Sequence, residues 1–279
     1  MRKLDVVGTV MEAYRGAYSH FLDLVKLVWL PVTIYIIANI AQQAFLQRRL
    51  EELQQQDPDS LISVTEAFSL PIVLLMLVGL FTWPMIAVAW HRFVLLGDRG
   101  AGAVNFHFGR REAVFLLASI FLVLLALPAF LVAMVSGALA DPVSGDTALS
   151  FGLAILALVL AIAAVYYSVR LALLLPAVAI GEPLNARAIL EITKGNFWRL
   201  LGMIILNMLF IMVIAIALNV VGALVSLIPG GIVVAIGLQA LYIILFQITS
   251  VAILSIAYRD LSGMNDGMGM SGAGDVYDR

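Results

Sequence analysis

The sequence predicts an all-α protein of the polytopic membrane class, a bundle of six transmembrane helices. Three observations support this fold class. The 279-residue chain is 63% hydrophobic and only 12% charged, and its mean hydropathy of +1.05 is far above that of a soluble domain. Six apolar runs are each long enough to cross about 30 Å of hydrocarbon, which takes about 20 helical residues. Most charged residues lie between these runs or at their ends.

Composition also excludes several classes of function. The formal net charge is −2, and lysines and arginines are spread between the apolar runs, whereas a nucleic-acid partner needs a clustered basic surface. The chain has no cysteine, which excludes disulfides, thiolate metal sites and a cysteine nucleophile. Residues 1–21 have a mixed polar pattern without a compact apolar core and cleavage site, so we expect no cleaved signal peptide.

The elements follow in chain order. Residues 6–21 place apolar and polar side chains on opposite helix faces, which predicts a helix lying in the membrane interface. The six spans are expected at residues 22–46, 70–95, 113–139, 149–179, 200–228 and 231–257. Prolines inside the spans predict kinks that a helical bundle can accommodate, at Pro31, Pro84, Pro128 and Pro176.

The loops between the spans are short, with one exception. Residues 47–68 are acidic and rich in glutamine, which predicts an extension of the first helix followed by a capped turn at residues 57–59. Residues 141–146 and 228–231 have turn composition and no basic residue, so both predict tight hairpins.

Basic residues predict the orientation. Fourteen lysines and arginines fall on one side of the predicted membrane, and only Arg48 and Arg49 fall on the other. The basic side of a membrane protein faces the cytoplasm, so both termini are expected there. Residues 1–261 form one membrane domain, and residues 262–279 predict a disordered cytoplasmic tail because they contain too little apolar surface to fold.

Similar segments recur along the chain and predict an internal repeat. The matching residues are Glu12, Arg15, Gly16 and Tyr18 before the first span and Glu191, Lys194, Gly195 and Phe197 before the fifth, with a looser match at residues 108–111 before the third. The second, fourth and sixth spans also end alike, at Arg92, Arg170 and Arg259. The simplest description is three hairpins of two spans, each preceded by an interfacial helix. Chance resemblance among apolar helices is the alternative.

The three arginines that end the even-numbered spans are the first candidate site. A charge inside a span costs about 2.5 to 3.5 kcal/mol on insertion scales, which gives Arg170 special weight. One hypothesis is an anchor for an anion or a lipid phosphate, formed by Arg170 alone or with Arg92 and Arg259. The alternative is a boundary arginine that extends its charge to the headgroups, with Glu182 as its partner.

Residues 184–199 are the second candidate. Arg187, Glu191 and Lys194 share one face of a predicted surface helix. Arg187 and Lys194 are therefore candidates for binding anionic lipid headgroups, and a simply solvated face is the alternative.

Polar side chains inside the last two spans are the third candidate. They are Asn207, Asn219, Gln239 and Gln247. An unpaired amide is costly in hydrocarbon, so these groups predict either interhelical hydrogen bonds or the lining of a substrate path. Small residues repeated every four positions permit close helix packing and dimerisation.

Motifs for catalysis are missing from the sequence. His20, His91 and His107 lack the spacing of a zinc site and are interpreted as interfacial histidines, and no nucleophile elbow or phosphate-binding loop occurs. We therefore predict no catalytic residue, no metal and no cofactor.

A short part of the sequence resembles a known family. The run VRLALLLPA at residues 169–177 and the run EITKGNFWRL at residues 191–200 are similar to the six-span membrane domain fused to some glycerophosphoryl diester phosphodiesterases, and to YciC-like bacterial inner-membrane proteins. The resemblance implies a six-helix protein of the bacterial cytoplasmic membrane. The catalytic barrel of the phosphodiesterases is absent from this chain, so their activity is not implied.

The function expected from these observations is non-enzymatic. We predict a scaffold or accessory subunit for lipid or envelope processes, in contact with membrane lipids and with a protein partner or further copies of itself. The alternative is a transporter of small molecules or lipids, with a path lined by polar residues of the fourth to sixth spans.

Overall fold

A computed structural model describes residues 2–56, 69–100, 106–140 and 147–264, and these residues contain helices and no strand. Two short helices, α1 (Val6–Ser19) and α2 (Phe21–Leu27), precede the first long helix. The remaining helices are α3 (Trp29–Gln56), α4 (Leu70–Leu96), α5 (Arg110–Leu124), α6 (Leu127–Ala138), α7 (Thr147–Leu171), α8 (Leu174–Ala179), α9 (Ala186–Ile192), α10 (Phe197–Ser226) and α11 (Gly231–Ser262). The predicted all-α class is confirmed.

Six segments of the described chain are long and apolar enough to cross a membrane, which confirms the predicted number of spans. They are Trp29–Gln55, Leu70–Leu96, Arg110–Ala138, Ala148–Ala179, Phe197–Ser226 and Gly231–Ser262. The first span begins later than predicted, because residues 21–27 form the separate helix α2, which ends at Leu27 and is capped by Val28.

Two of the spans consist of two helices each. The third is interrupted between α5 and α6 just before Pro128, and the fourth between α7 and α8 before Pro176. Proline lacks the amide hydrogen and its ring crowds the preceding helical turn, which accounts for both interruptions. Helix α4, in contrast, continues through Pro84.

The predicted loops are confirmed where the structure describes them. Helix α3 extends to Gln56, as its polar C-terminal third predicts. The turn between α10 and α11 is short and ends at Gly230, whose φ of 81° is in the left-handed region that favours glycine. The turn at residues 57–59 and the hairpin at 141–146 lie outside the described residues, as does the predicted tail of residues 262–279 from residue 265 onward.

Buried side chains concentrate at one end of the bundle. We call it the basic end, because Arg92, Arg170 and Arg259 lie there. The opposite end, where the spans of each hairpin are joined, is the hairpin end. The C-terminal parts of α4 and α11 and the short helix α8 contact one another at the basic end. Trp90 and Tyr258 are among the largest fully buried side chains of this core.

The outer surface of the spans is apolar and exposed. Val123, Phe151 and Val213 are examples from α5, α7 and α10. Large exposed apolar patches mark contact with lipid or with another protein, and in a chain with six spans of this length a hydrocarbon environment explains them.

The predicted repeat matches the structure in its hairpins but not in its glycines. The first and second, the third and fourth, and the fifth and sixth spans pack as neighbouring pairs. Gly16 lies inside α1, Gly109 is extended at the N-terminus of α5, and Gly195 has a φ of 76°. The three glycines therefore have different backbone conformations, and the repeat stays a prediction.

Candidate functional site

The arginine that ends the sixth span forms a partly buried ion pair with the first helix. Arg259 is 9% exposed, and its Nη1 and Nη2 atoms donate to the two carboxylate oxygens of Glu12 at 2.8 and 3.0 Å. Arg259 also contacts the carboxylate of Asp260 at 3.0 Å. A bidentate pair fixes both partners in angle as well as distance. Glu12 therefore holds α1 against the end of α11.

The chain before α1 is held by the turn that precedes α10. The Asn196 side chain accepts from the Leu4 amide at 3.1 Å and donates to the Arg2 carbonyl at 3.0 Å. Arg199 donates to the Leu4 carbonyl at 2.7 Å. We call residues 2–5 the N-terminal strap. Its backbone hydrogen bonds are satisfied by side chains nearly 200 positions later in the sequence.

The arginine that ends the second span forms a local ion pair. The Arg92 Nε and Nη2 atoms donate to one Asp98 carboxylate oxygen at 3.0 and 2.6 Å. The Gly100 amide donates to the other oxygen, and this bond together with Arg92 holds the pKa of the Asp98 carboxyl below its usual range. A cavity of about 290 Å³ beside them is also lined by His107, Arg111 and Glu112.

Arg170 is bound by uncharged groups. It donates to the Thr193 hydroxyl at 3.2 Å, to the Tyr166 hydroxyl at 2.9 Å and to the Leu190 carbonyl. The predicted pairing with Glu182 is wrong, since Glu182 instead interacts with the Tyr258 hydroxyl. Arg170 binds a carbonyl of the last turn of α9, where a cation is favourable because of the helix dipole. Its visible role is to attach α9 to the fourth span.

The three arginines therefore do not form one anion site. Their hydrogen-bond partners are different and lie in different segments. The three arginines have one feature in common. Each ends one hairpin and lies beside the segment that leads into a different hairpin. Arg92 lies beside the start of α5, Arg170 beside α9 and Arg259 beside α1.

The surface helix before the fifth span is shorter than predicted. Arg187 and Glu191 pair at 3.5 Å, with side chains that are 90% and 70% exposed. Helix α9 ends at Ile192, so Lys194 lies in the following turn rather than on the same helix face, which corrects the prediction. The left-handed φ of Gly195 accounts for the early end of the helix. Arg187 and Lys194 are both exposed at the basic end.

Most of the predicted interior amides form hydrogen bonds between helices. Asn207 accepts from the Tyr14 hydroxyl at 3.0 Å. Gln247 donates to the Tyr35 hydroxyl at 3.0 Å. Gln239 donates to Gln43 on α3 at 2.6 Å. Asn219 is the exception, because it donates to the Ala215 carbonyl of its own helix and is exposed.

One histidine prediction is wrong. His91 is fully buried rather than interfacial, and its Nδ1 atom lies 2.7 Å from the Ser255 hydroxyl. This contact joins α4 to α11 in the core of the basic end. His107 is exposed and His20 is partly exposed. Within the described ranges, no group of three or more histidine, aspartate or glutamate residues is placed to hold a metal ion.

A larger cavity lies at the hairpin end, between α3 and the α10–α11 hairpin. Its volume is about 730 Å³, within the ~300–1,000 Å³ range of small-molecule sites. Asn219 and Gln239 line it together with Gln43, Gln47 and Tyr242. Arg170 is not among its lining residues, so the structure does not join the two parts of the predicted transport path.

Comparison of the chain with models of protein families, with curated proteins and with solved structures finds no match. The site therefore has to be interpreted from its own geometry. Sequence reasoning missed Glu12 as the partner of Arg259, Asn196 as the holder of the strap, and Gln43 as the partner of Gln239. Glu12 lies on the predicted polar face of this helix, and no local signal distinguishes a glutamate that pairs with Arg259 from one that faces water.

Proposed function

We propose that this chain is a non-enzymatic, multi-pass protein of the bacterial cytoplasmic membrane and acts as a scaffold or accessory subunit for lipid or envelope processes. The observation that carries the proposal is the closed basic end. Trp90, Leu173 and Tyr258 are buried where α4, α8 and α11 meet. His91 and Ser255, two buried polar residues of this core, are partners of each other.

A packed core of this kind favours a protein whose helices keep fixed positions relative to one another. Transport needs a path that opens to each side in turn, commonly through broken helices at the middle of the membrane. Here the helix interruption before Pro176 lies in the packed basic end, and Ala177 and Ala179 next to it are fully buried. We therefore assign the interruption before Pro176 to packing.

The partners in this proposal are membrane lipids and a protein partner or further copies of the chain. The exposed apolar faces of α6, α7 and α10 provide the surface within the membrane. Arg187 and Lys194 provide exposed cationic groups at the basic end, where anionic headgroups add about 1 kcal/mol per charge. Neither a cofactor nor a nucleic acid has a place in this function.

The scaffold role is tested by purification from native membranes in a mild detergent. We expect the protein to migrate in native gels at a mass above that of its 30.1-kDa chain with bound detergent, together with a partner in fixed stoichiometry. Cross-linking in intact cells should give the same partner. Migration as a single chain, without a partner in either experiment, would contradict the proposal.

Transport remains the second candidate because of the cavity at the hairpin end. Liposomes that contain the purified protein and a fluorescent lipid distinguish the two functions. For a scaffold, an impermeant quencher should remove only the outer-leaflet signal, as in protein-free liposomes. Loss of the inner-leaflet signal in a protein-dependent manner would favour lipid transport and would contradict the scaffold role.

The proposed orientation places both termini and the basic end in the cytoplasm. The chain has no cysteine, so single-cysteine variants report directly on topology. We expect Ser144→Cys, between the third and fourth spans, to react with an impermeant maleimide in intact cells. Ser19→Cys, at the end of α1, should react only after the membrane is opened. The reverse pattern would invert the topology and remove the cytoplasmic assignment.

A further inference from the structure

We propose that the cavity at the hairpin end binds one membrane lipid with acyl chains and an uncharged, hydroxyl-bearing headgroup, of the diacylglycerol type. This inference goes beyond the scaffold role and does not depend on it. It rests on the depth of the cavity, on its lining and on polar atoms that have no partner in the described structure.

The depth of the cavity suits an acyl chain. Along α11 the lining extends from Ile232 to Ile243, and along α3 from Gln47 to Ile40. At 1.5 Å per residue the α11 part spans about 16 Å, which is more than half of the roughly 30 Å of hydrocarbon. The cavity therefore extends from the hairpin-end boundary to about the middle of the membrane.

The lining is mixed but uncharged. Aliphatic side chains from all three helices form most of the wall, for example Ile40, Leu218 and Ile236. Gln43, Gln47, Asn219, Gln239, Tyr242 and Ser226 supply amides and hydroxyls. Among the described residues that line the cavity, none carries a formal charge. A phosphate placed among these groups would lose hydration without a cation to replace it, whereas a hydroxyl or ester needs only hydrogen bonds.

Several of these polar groups are available to a ligand. Gln43 is not one of them, because both polar atoms of its side chain already form hydrogen bonds. Its amide nitrogen donates to Asn39 at 2.9 Å, and its amide oxygen accepts from Gln239. In the described part of the chain, the Gln239 carbonyl oxygen, the Gln47 amide and the Tyr242 hydroxyl have no hydrogen-bond partner. Unpaired polar groups at membrane depth are costly, so a bound hydroxyl or ester group stabilises this arrangement.

The walls of the cavity belong to different hairpins. Helix α3 belongs to the first hairpin, whereas α10 and α11 form the third. Gly222 brings α10 close to α11 at the back of the cavity, where an added Cβ would lie 3.7 Å from the Ala235 Cβ atom. Small residues at this crossing leave the space in front of them unfilled. A lipid can enter laterally between the hairpins.

Photo-labelling in nanodiscs tests the site. The probe is a diacylglycerol with a diazirine at the end of one acyl chain, added to a bilayer of phosphatidylethanolamine and phosphatidylglycerol that surrounds the full-length protein. We expect labelled peptides to map to residues 40–47 and 232–243. Unlabelled diacylglycerol should compete, and an equal amount of added phosphatidylglycerol should not.

Two variants of cavity residues, together with a matched control outside the cavity, make the test specific. Ala223→Trp places a large side chain in the cavity and should lower labelling about tenfold, equivalent to about 1.4 kcal/mol of binding free energy. Val220→Trp, on the same helix but outside the lining, is the matched control and should leave labelling unchanged. Gln239→Leu keeps the volume but removes the polar group, and it should reduce the preference for diacylglycerol over phosphatidylglycerol.

Four results would overturn the proposal. Equal labelling of the lipid-facing surface of α7 would indicate ordinary boundary lipid, as would labelling that neither Ala223→Trp nor Gln239→Leu reduces. Equal competition by phosphatidylglycerol would remove the headgroup assignment. A cross-link to a second copy of the chain at residues 232–243 would show that this face is a dimer interface. None of these results depends on whether a protein partner co-purifies, so the scaffold role is tested separately.

Discussion

Replacing Trp90 with alanine should lower the free energy of unfolding by about 3–5 kcal/mol. Trp90 is only 2% exposed and lies where α4 meets α8 and α11. Its indole nitrogen also donates to the Leu24 carbonyl at 2.8 Å, which fixes α2 to the second span. Removing the ring leaves a cavity and also leaves that carbonyl without the indole donor. The measurement is equilibrium unfolding by SDS in mixed micelles, followed by circular dichroism.

Trp198→Ala is the matched control, because this tryptophan is 77% exposed at the basic end. We expect a change of no more than about 0.5 kcal/mol. Trp90→Phe separates the two causes, since it keeps most of the packing and removes the hydrogen bond, and it should cost about 1–3 kcal/mol. If Trp90→Ala and Trp198→Ala had similar effects, the packed core at the basic end would be disproved.

Glu12 and Arg259 should show a coupling free energy of about 1.5–3 kcal/mol in a double-mutant cycle. The pair is bidentate, with the arginine side chain 11% exposed and the glutamate 39% exposed. Breaking a fully buried pair costs about 3–5 kcal/mol, and the partial exposure of Glu12 lowers that value. The cycle uses Glu12→Ala, Arg259→Ala and the double variant, with unfolding in the same mixed micelles.

Arg187 and Glu191 provide the control pair on the same protein. Their side chains are mostly exposed, so solvent screens the interaction and the coupling should be at most about 0.5 kcal/mol. Proteolysis should also separate the pairs. Arg15 is already exposed, but its peptide bond is protected by the docked helix, so Glu12→Ala should release α1 and allow trypsin to cut there, whereas Glu191→Ala should leave α1 protected. Equal coupling in the two pairs would show that α1 is not held by Arg259.

The spans could be predicted from sequence because the membrane imposes a length and requires internal hydrogen bonds. Proline accounts for the interruptions before Pro128 and Pro176. The one span boundary that was clearly wrong is the start of the first span, where the separate helix α2 ends at Leu27. No pattern distinguishes an apolar helix in the interface from the first turns of a span, because both are rich in the same residues.

The candidate site was less predictable, for a different reason. Arg259 was singled out by its position, but its partner Glu12 lies 247 residues away. His91 was misassigned because hydropathy shows that a residue is near a membrane boundary, not which neighbour covers it. The cavity follows from the relative placement of two hairpins that are distant in sequence. Contacts between residues that are distant in sequence depend on tertiary packing, and the local sequence pattern does not reveal them.

The position of the N-terminal strap has a consequence for biosynthesis. Residues 2–5 leave the ribosome well before Asn196 and Arg199, with which they form hydrogen bonds. At about 5–20 residues per second, roughly 10–40 s of translation separate the two events. The strap must therefore wait, without its final partners, until the fifth span has been synthesised. Docking of the strap is a late step of assembly rather than an early one.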